Sequence, residues 1–265
     1  MVTLPPEAIV LRSVDYGESD RIVHLLTADS GRLTAIAKGA RRSRRRFPGT
    51  LDVFNHLSIR GRSRPRASMA FLEGANLLDP FLGLRRDTSR YGLASFLTEV
   101  LDRLSPEGIQ GADARRLFVF ARESLALIES LQPNATLRLL LELRAFDALG
   151  LRPEFGRCVR CGRVPDERVS DRHPVHFHVA DGGLVCSACG LRLDGLIAVE
   201  LGTLRVLDVG LACPIDALSR IELPGHSMEE AARLVFRFQR FHVGIEMRSE
   251  RFLEEILPIA TPGAA

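Results

Sequence analysis

Two cysteine doublets restrict this chain more than any other feature. "CVRC" (Cys158, Cys161) and "CSAC" (Cys186, Cys189) are separated by 24 residues, Gly162 to Val185. Together they offer four thiolates, the donor set of a tetrahedral Zn²⁺ with sulfur at about 2.3 Å. A glycine follows each doublet, Gly162 and Gly190, where a tight turn lets backbone amides point at the sulfurs. The surrounding residues 151–196 are rich in Cys, Gly, Arg and His and nearly free of periodic hydrophobicity. Such a segment needs the metal as folding energy, on the order of 10 kcal/mol. Four sulfurs saturate the ion and leave no position for a catalytic water, so the expectation is one structural zinc ion. A redox pair or unmetallated thiols are the alternatives. His173, His176 and His178 in "HPVHFH" are rival ligands, read as surface or loop residues, and Cys213 reads as a small buried thiol.

Upstream, the pattern is strand-like. Between Ala8 and Leu78, "AIVLRSV", "RIVHLLT", "RLTAIAKG", "LDVFNHLSIR" and "RASMAFLEGANLL" alternate or run apolar, with turn-forming segments between them. Five strands in so short a span predict a closed barrel such as an OB-fold, although pattern alone does not separate it from an SH3-like barrel. After Pro80 the period turns helical. Leu93, Phe96, Leu97, Val100, Leu101 and Leu104 mark one helix; Leu117, Ala121, Leu125, Ile128 and Leu131 mark a second. A third, "NATLRLLLELRAFDALG", has Asn134 as its N-cap and Gly150 as its stop. Short loops make these three antiparallel neighbours. Ser227 and Glu230 have capping-box spacing at the start of a later helix. The predicted architecture is α+β and multidomain: a five-stranded barrel over 1–80, a helical bundle beginning over 81–150, a zinc lobe over 151–196, and further helices over 197–265.

Net charge is only +3, so attraction to a polyanion has to come from clustering. It does cluster. "KGARRSRRRF" puts Lys38, Arg41, Arg42, Arg44, Arg45 and Arg46 into nine residues. Arg60, Arg62, Arg64 and Arg66 follow one strand later, and Arg32 precedes, giving eleven basic residues from 32 to 66 against one acid, Asp52. Lys38 is the sole lysine; guanidinium grips phosphate through two parallel hydrogen bonds. A run of like charge is ordinarily a solvated face, and a localisation signal looks similar. Its place between strands three and four of a barrel favours a cationic groove tracking a phosphate backbone, with Tyr16, Phe47 and Phe54 as the aromatics available for stacking. Each of the three could equally be core, and Phe54 is the strongest core candidate.

Other classes fit poorly. A P-loop needs lysine after glycine, and the single lysine follows Ala37. A zinc deaminase needs H-x-E and a proline before C-x-x-C, and neither occurs. No run approaches 18 apolar residues and the N-terminus is unlike a signal peptide, so the expected setting is cytoplasmic and without a membrane partner. A zinc-ribbon scaffold acting through protein contacts is the alternative to a DNA-binding role.

The order of parts resembles the RecO family of recombination mediators. The resemblance is carried by "DYGESDRIVHLLTADSGRLTAIAKGARRSRRRF", "LDVFNHL", "LLLELRAFDALGLRPEFGRCVRCG" and "GGLVCSACG". It implies an OB-fold, a helical bundle and an inserted four-cysteine zinc lobe. It also implies a non-enzymatic role: binding single- and double-stranded DNA, annealing complementary strands, and helping RecR load RecA onto DNA coated by single-strand-binding protein (SSB). By position, the family's DNA-binding surface falls on Lys38, Arg41, Arg42, Arg44, Arg45 and Arg46. Its docking site for the SSB tail falls near Arg115, Arg116 and Arg122 in "DARRLFVFARESL".

Overall fold

In the computed structural model, which describes residues 2–64, 67–166 and 168–259, the alternating N-terminal runs become strands of one closed sheet. The strands are β1 (Val2–Thr3), β2 (Glu7–Tyr16), β3 (Asp20–Thr27), β4 (Gly31–Ala37), β5 (His56–Ser63) and β6 (Ala70–Asp79). Their order is β1-β5-β2-β3-β4-β6, and a further β5–β6 pairing closes the barrel. Every pairing is antiparallel except β4 with β6. Strands β2 to β6 form the OB-like barrel; β1 is a two-residue addition with too short a pattern to read from sequence.

Alternation explains the barrel interior. Val10, Val23, Leu25, Ala35, Leu57, Ile59 and Leu72 point inward and are buried, while Arg60 and Arg62 point out. Register shifts at Val10/Arg12 in β2 and Arg60/Gly61 in β5 bend the strands enough to close. Gly61 sits at the second bend, where a Cβ would lie 2.5 Å from the Phe71 carbonyl oxygen. Helices α1 (Thr88–Leu104) and α2 (Ala112–Ser130) pack on each other and on the barrel strands, completing a compact unit that ends at Gln132. Asp87 caps α1 by accepting from Arg90 N. The apolar stripes read from sequence are the buried faces, from Leu93 to Leu101 and from Leu117 to Ile128. Leu104 and Leu131 fall at the helix ends and are half-buried.

A second unit begins at Pro133. Helix α3 (Ala135–Ala148) starts at Asn134, whose side chain accepts from Leu137 N at 2.8 Å. It ends in a Schellman turn: Leu151 N donates to Phe146 O, Gly150 N donates to Asp147 O, and Gly150 has φ +85°. Loop length grouped α3 with the two preceding helices, but its partners are α5 (Leu201–Ala212) and α6 (Gly225–His242). The cysteine-rich segment also holds regular structure that its composition hid. β7 (Pro174–His178) lies between β8 (Gly183–Val185) and β9 (Leu196–Glu200) in an antiparallel sheet. All of "HPVHFH" after His173 is therefore a strand, with Phe177 fully buried against Phe155 and Phe238. A short α4 (Ser187–Gly190) and a terminal α7 (Glu250–Ile256) complete the unit.

The capping box is a correction. Helix α6 begins two residues before Ser227, and the Glu230 side chain does not turn back to it. Its carboxylate accepts instead from Thr203 Oγ1 at 2.6 Å and from Glu200 N, capping the start of α5 from a neighbouring helix. Spacing alone cannot reveal a carboxylate drawn away by a closer orphan amide.

Candidate nucleic-acid surface and metal centre

The basic loop is docked onto the β2–β3 hairpin. Gly39, at φ +67°, turns the chain out of β4, and its amide donates to Asp20 Oδ1 at 2.8 Å. That bond, with a smaller contribution from Lys38, holds the Asp20 carboxyl below its usual range. A single helical turn, Ala40–Arg42, follows, and Arg41 N donates to Ser19 O at 3.0 Å. The Arg41 guanidinium reaches Asp15 at 3.3 Å and the carbonyls of Gly17 and Glu18. Arg46 Nη2 donates to Lys38 O at 2.8 Å and closes the loop on itself. Beneath it Phe47 and Ala40 are buried in the barrel core, so the loop is anchored from inside.

Lys38, Arg41, Arg42, Arg44, Arg45 and Arg46 are all exposed. Among the described residues, no carboxylate lies within 4 Å of Arg42, Arg44 or Arg45. The second group meets the first at Gly74. Ala75 N donates to Arg46 O, and a Cβ on Gly74 would stand 3.2 Å from Arg60 Nη2 and 3.7 Å from Arg46 O. Arg62 is exposed but pairs with Glu73 at 3.0 Å and lies over Phe71. Arg64 is exposed at the end of β5, and Arg66 lies outside the described residues.

Arg32 differs from the others. It is half-buried, 2.8 Å from Glu107 and 3.8 Å from Asp102, and its Nε donates to Ser105 O. Asp102 also takes a 2.6 Å contact from His24. Arg32 thus fastens β4 to the end of α1, a role invisible without the fold. Of the three aromatics, Phe47 and Phe54 are core residues, whereas Tyr16 is 55% exposed beside the Arg41–Asp15 pair. Arg115, Arg116 and Arg122 are exposed on α2; Arg115 approaches Asp29 at 4.0 Å and Arg116 pairs with Asp113 at 3.6 Å.

In the second unit Cys158, Cys161, Cys186 and Cys189 bring their sulfurs within 4.8 Å of one another, the one such group of metal-ligating side chains among the described residues. Cys161 Sγ and Cys186 Sγ are 3.7 Å apart, against about 3.8 Å for an ideal ZnS₄ tetrahedron built from 2.3 Å bonds. Both knuckles aim amides at sulfur. Burial alone would raise the Cys158 thiol, but the amides of Cys186, Cys161 and Arg160 bring it down to about 6. The Cys189 amide lowers Cys186 in the same way. Cys189, facing the sulfurs of Cys186 and Cys161, is pushed up to about 12. Sulfurs in contact cannot all ionise unless a cation sits among them, so the donor set fits a thiophilic metal ion. The nearby histidines stand outside the group: His178, at the end of β7, is buried 2.9 Å from Asp181, and His173, before that strand, is exposed. The first-knuckle arginines turn to carboxylates, Arg157 to Glu154 at 3.0 Å and Arg160 to Asp181 at 2.6 Å. Cys213 is half-buried and separate from the group.

Fold and site together define an OB-barrel protein with a metal-capable four-cysteine lobe. No helix among the described residues is long and apolar enough to cross a membrane. Sequence comparison narrows the class. The family described as "Recombination protein O N terminal" matches residues 1–81, and "Recombination protein O C terminal" matches 85–251. The chain is 34% identical over 255 residues, 95% of its length and 96% of the relative's, to the DNA repair protein RecO of Anaeromyxobacter dehalogenans (strain 2CP-C). It is 34% identical over 253 residues to that of Myxococcus xanthus (strain DK1622), covering 94% and 96% of the two chains. With that of Syntrophus aciditrophicus (strain SB) it shares 31% identity over 252 residues, covering 94% and 95%. The chain belongs to the RecO family, and its role lies in recombinational DNA repair.

Proposed function

We propose that the chain is a non-enzymatic recombination mediator that binds single- and double-stranded DNA and anneals complementary strands. In this reading it works with RecR to help load RecA onto SSB-coated DNA, in the cytoplasm and on the nucleoid. The observation that carries the reading is the docked arginine loop, tied to the β2–β3 hairpin by the Gly39 amide on Asp20 and by the Arg41 guanidinium on Asp15 and the carbonyls of Gly17 and Glu18. Lys38, Arg41, Arg42, Arg44, Arg45 and Arg46, extended by Arg60 and Arg62, would follow the phosphate backbone without reading bases. Tyr16, which is exposed, would stack on an unpaired base.

Annealing is opposed by repulsion between two phosphate backbones and by protein covering the bases. An arginine surface lowers the first barrier by replacing condensed counterions, and no bond is made or broken. The four cysteines would hold one structural Zn²⁺, which contributes folding energy and no open coordination position. The SSB tail, acidic by the family resemblance, would meet Arg115, Arg116 and Arg122 on α2. Annealing of complementary oligonucleotides coated with SSB tests the whole reading. Acceleration that falls steeply between low and moderate salt is expected; no acceleration at any salt, with or without RecR, contradicts it.

A further inference from the structure

The register of the barrel lines up one row of side chains across five strands. Val14 of β2 stands opposite Ile22 of β3, Ile22 opposite Ile36 of β4, Ile36 opposite Phe71 of β6, and Phe71 opposite Arg62 of β5. The row faces away from the core, because its chain neighbours Val23, Ala35 and Leu72 are the buried ones. Its four apolar members extend about 14 Å at the spacing of hydrogen-bonded strands. Val14 is 43% exposed, and Ile22, Ile36 and Phe71 are half-buried. Tyr16, two residues along β2 from Val14, is exposed as well. A sheet face left to solvent carries polar side chains on its outward positions, and an apolar run across four strands departs from that pattern.

The rows on either side are closed. On β3 the next outward residue one way is His24, held by Asp102 of α1 at 2.6 Å. The other way it is Asp20, which takes the Gly39 amide where the arginine loop begins. The apolar row is the strip left open between the end of α1 and that loop. Its flanks are cationic: Arg12 precedes Val14 by two residues, Lys38 follows Ile36 by two, and Arg62 ends the row, all three exposed. Among the described residues no carboxylate lies within 4 Å of Arg12. Arg62 shares Glu73 at 3.0 Å and lies 5.8 Å from the centre of the Phe71 ring.

A flat apolar surface with cations along it suits a ligand that has flat apolar faces on an anionic rail. Unpaired nucleic acid is such a ligand, since every base has an open π-face and every sugar a phosphate. A duplex is not, because its bases stack on each other and present only their groove edges. An acidic peptide would meet the cations but brings no repeating flat face to the row.

We propose that Val14, Ile22, Ile36 and Phe71, with Tyr16, form a base-contact strip for an unpaired strand. Bases lie on it without choice of sequence, the contact is lost when the strand becomes duplex, and the barrel thereby lets go of annealed product. The proposal rests on the DNA-binding reading above, which the arginine loop carries independently. Its test is fluorescence anisotropy of the full chain with four labelled probes: a thymidine single strand, a duplex of the same length, an abasic strand that keeps sugar and phosphate, and a glutamate-rich peptide. The native chain should bind the single strand roughly tenfold tighter than the abasic strand at the same salt. Val14→Thr with Tyr16→Thr keeps strand-forming residues on an exposed face. That variant should lose most of the preference while duplex and abasic binding change by less than about twofold. Equal affinity of the native chain for the single and abasic strands would overturn the strip without any variant. So would a loss shared equally by all three nucleic-acid probes, or tighter binding of the peptide than of the single strand. A native chain that binds no nucleic-acid probe would overturn the DNA reading itself, and the strip with it.

Discussion

Between Glu7 and Asp79 the barrel closes through a continuous hydrogen-bonded ladder around an apolar core from Leu4 to Ala75. Between Cys158 and Glu200 the described residues form three short strands and one helical turn, and four cysteines stand where more core would be needed. The barrel carries its charge outside, on arginines held by a hairpin. The second unit carries charge inside: Arg138, Glu142 and Glu230 are buried. The difference teaches that one chain can order a functional surface either by closing a sheet or by tying loops with sulfur, and that the two routes fail under different conditions.

Metal removal should separate them most sharply. With the proposed zinc held by the four cysteines, chelation, or Cys158→Ala, should remove folding energy on the order of 10 kcal/mol from the second unit. Hydrogen exchange is expected to rise across residues 154–200 while β2 to β6 keep their protection. Equal loss in both regions would break the contrast.

A smaller effect comes from pH. Glu142 titrates near 4.5 when unfolded and at about 7 in the fold, so the folded state holds its proton longer. The stability this gives is full below 4.5 and is lost as pH rises through 7. A shift of that size corresponds to about 3 kcal/mol. Denaturant titrations of the full chain should show this decline, and Glu142→Gln should flatten it; a decline of the same size in the variant would assign it to another group.

The smallest effect tests whether the basic loop is a shaped surface or a loose tag. Asp20→Ala removes a negative charge but also the tie to Gly39 N. Charge counting predicts tighter DNA binding, whereas positioning predicts affinity several-fold weaker. Fluorescence anisotropy with a labelled single strand distinguishes them by sign.

Much of this was legible in the sequence. The barrel was, because period-two alternation from Ala8 to Leu78 has few other solutions, and so were the four cysteines, because C-x-x-C spacing encodes a knuckle directly. The ends of α3 were legible because Asn134 and Gly150 act locally. What escaped were properties of neighbours distant in sequence. Arg32 looked like its cationic companions until Glu107 and Asp102 came up beside it. Glu230 had capping-box spacing yet serves Thr203. Phe47, next to five arginines, looked available for stacking, but the barrel core beneath the loop claims it. The strands of the cysteine lobe are too short for alternation to register.

The central claim is that the loop from Lys38 to Arg46 is a folded phosphate-binding surface. Its most direct test is the salt dependence of single-stranded DNA affinity, measured for the native chain and for a variant with Arg41, Arg42, Arg44, Arg45 and Arg46 replaced by glutamine. With about five phosphate contacts, the native log–log slope should be about −3.5, and the variant's shallower than about −1 with the barrel still protected from exchange. An unchanged slope in the variant would contradict the account and place the DNA site elsewhere on the chain.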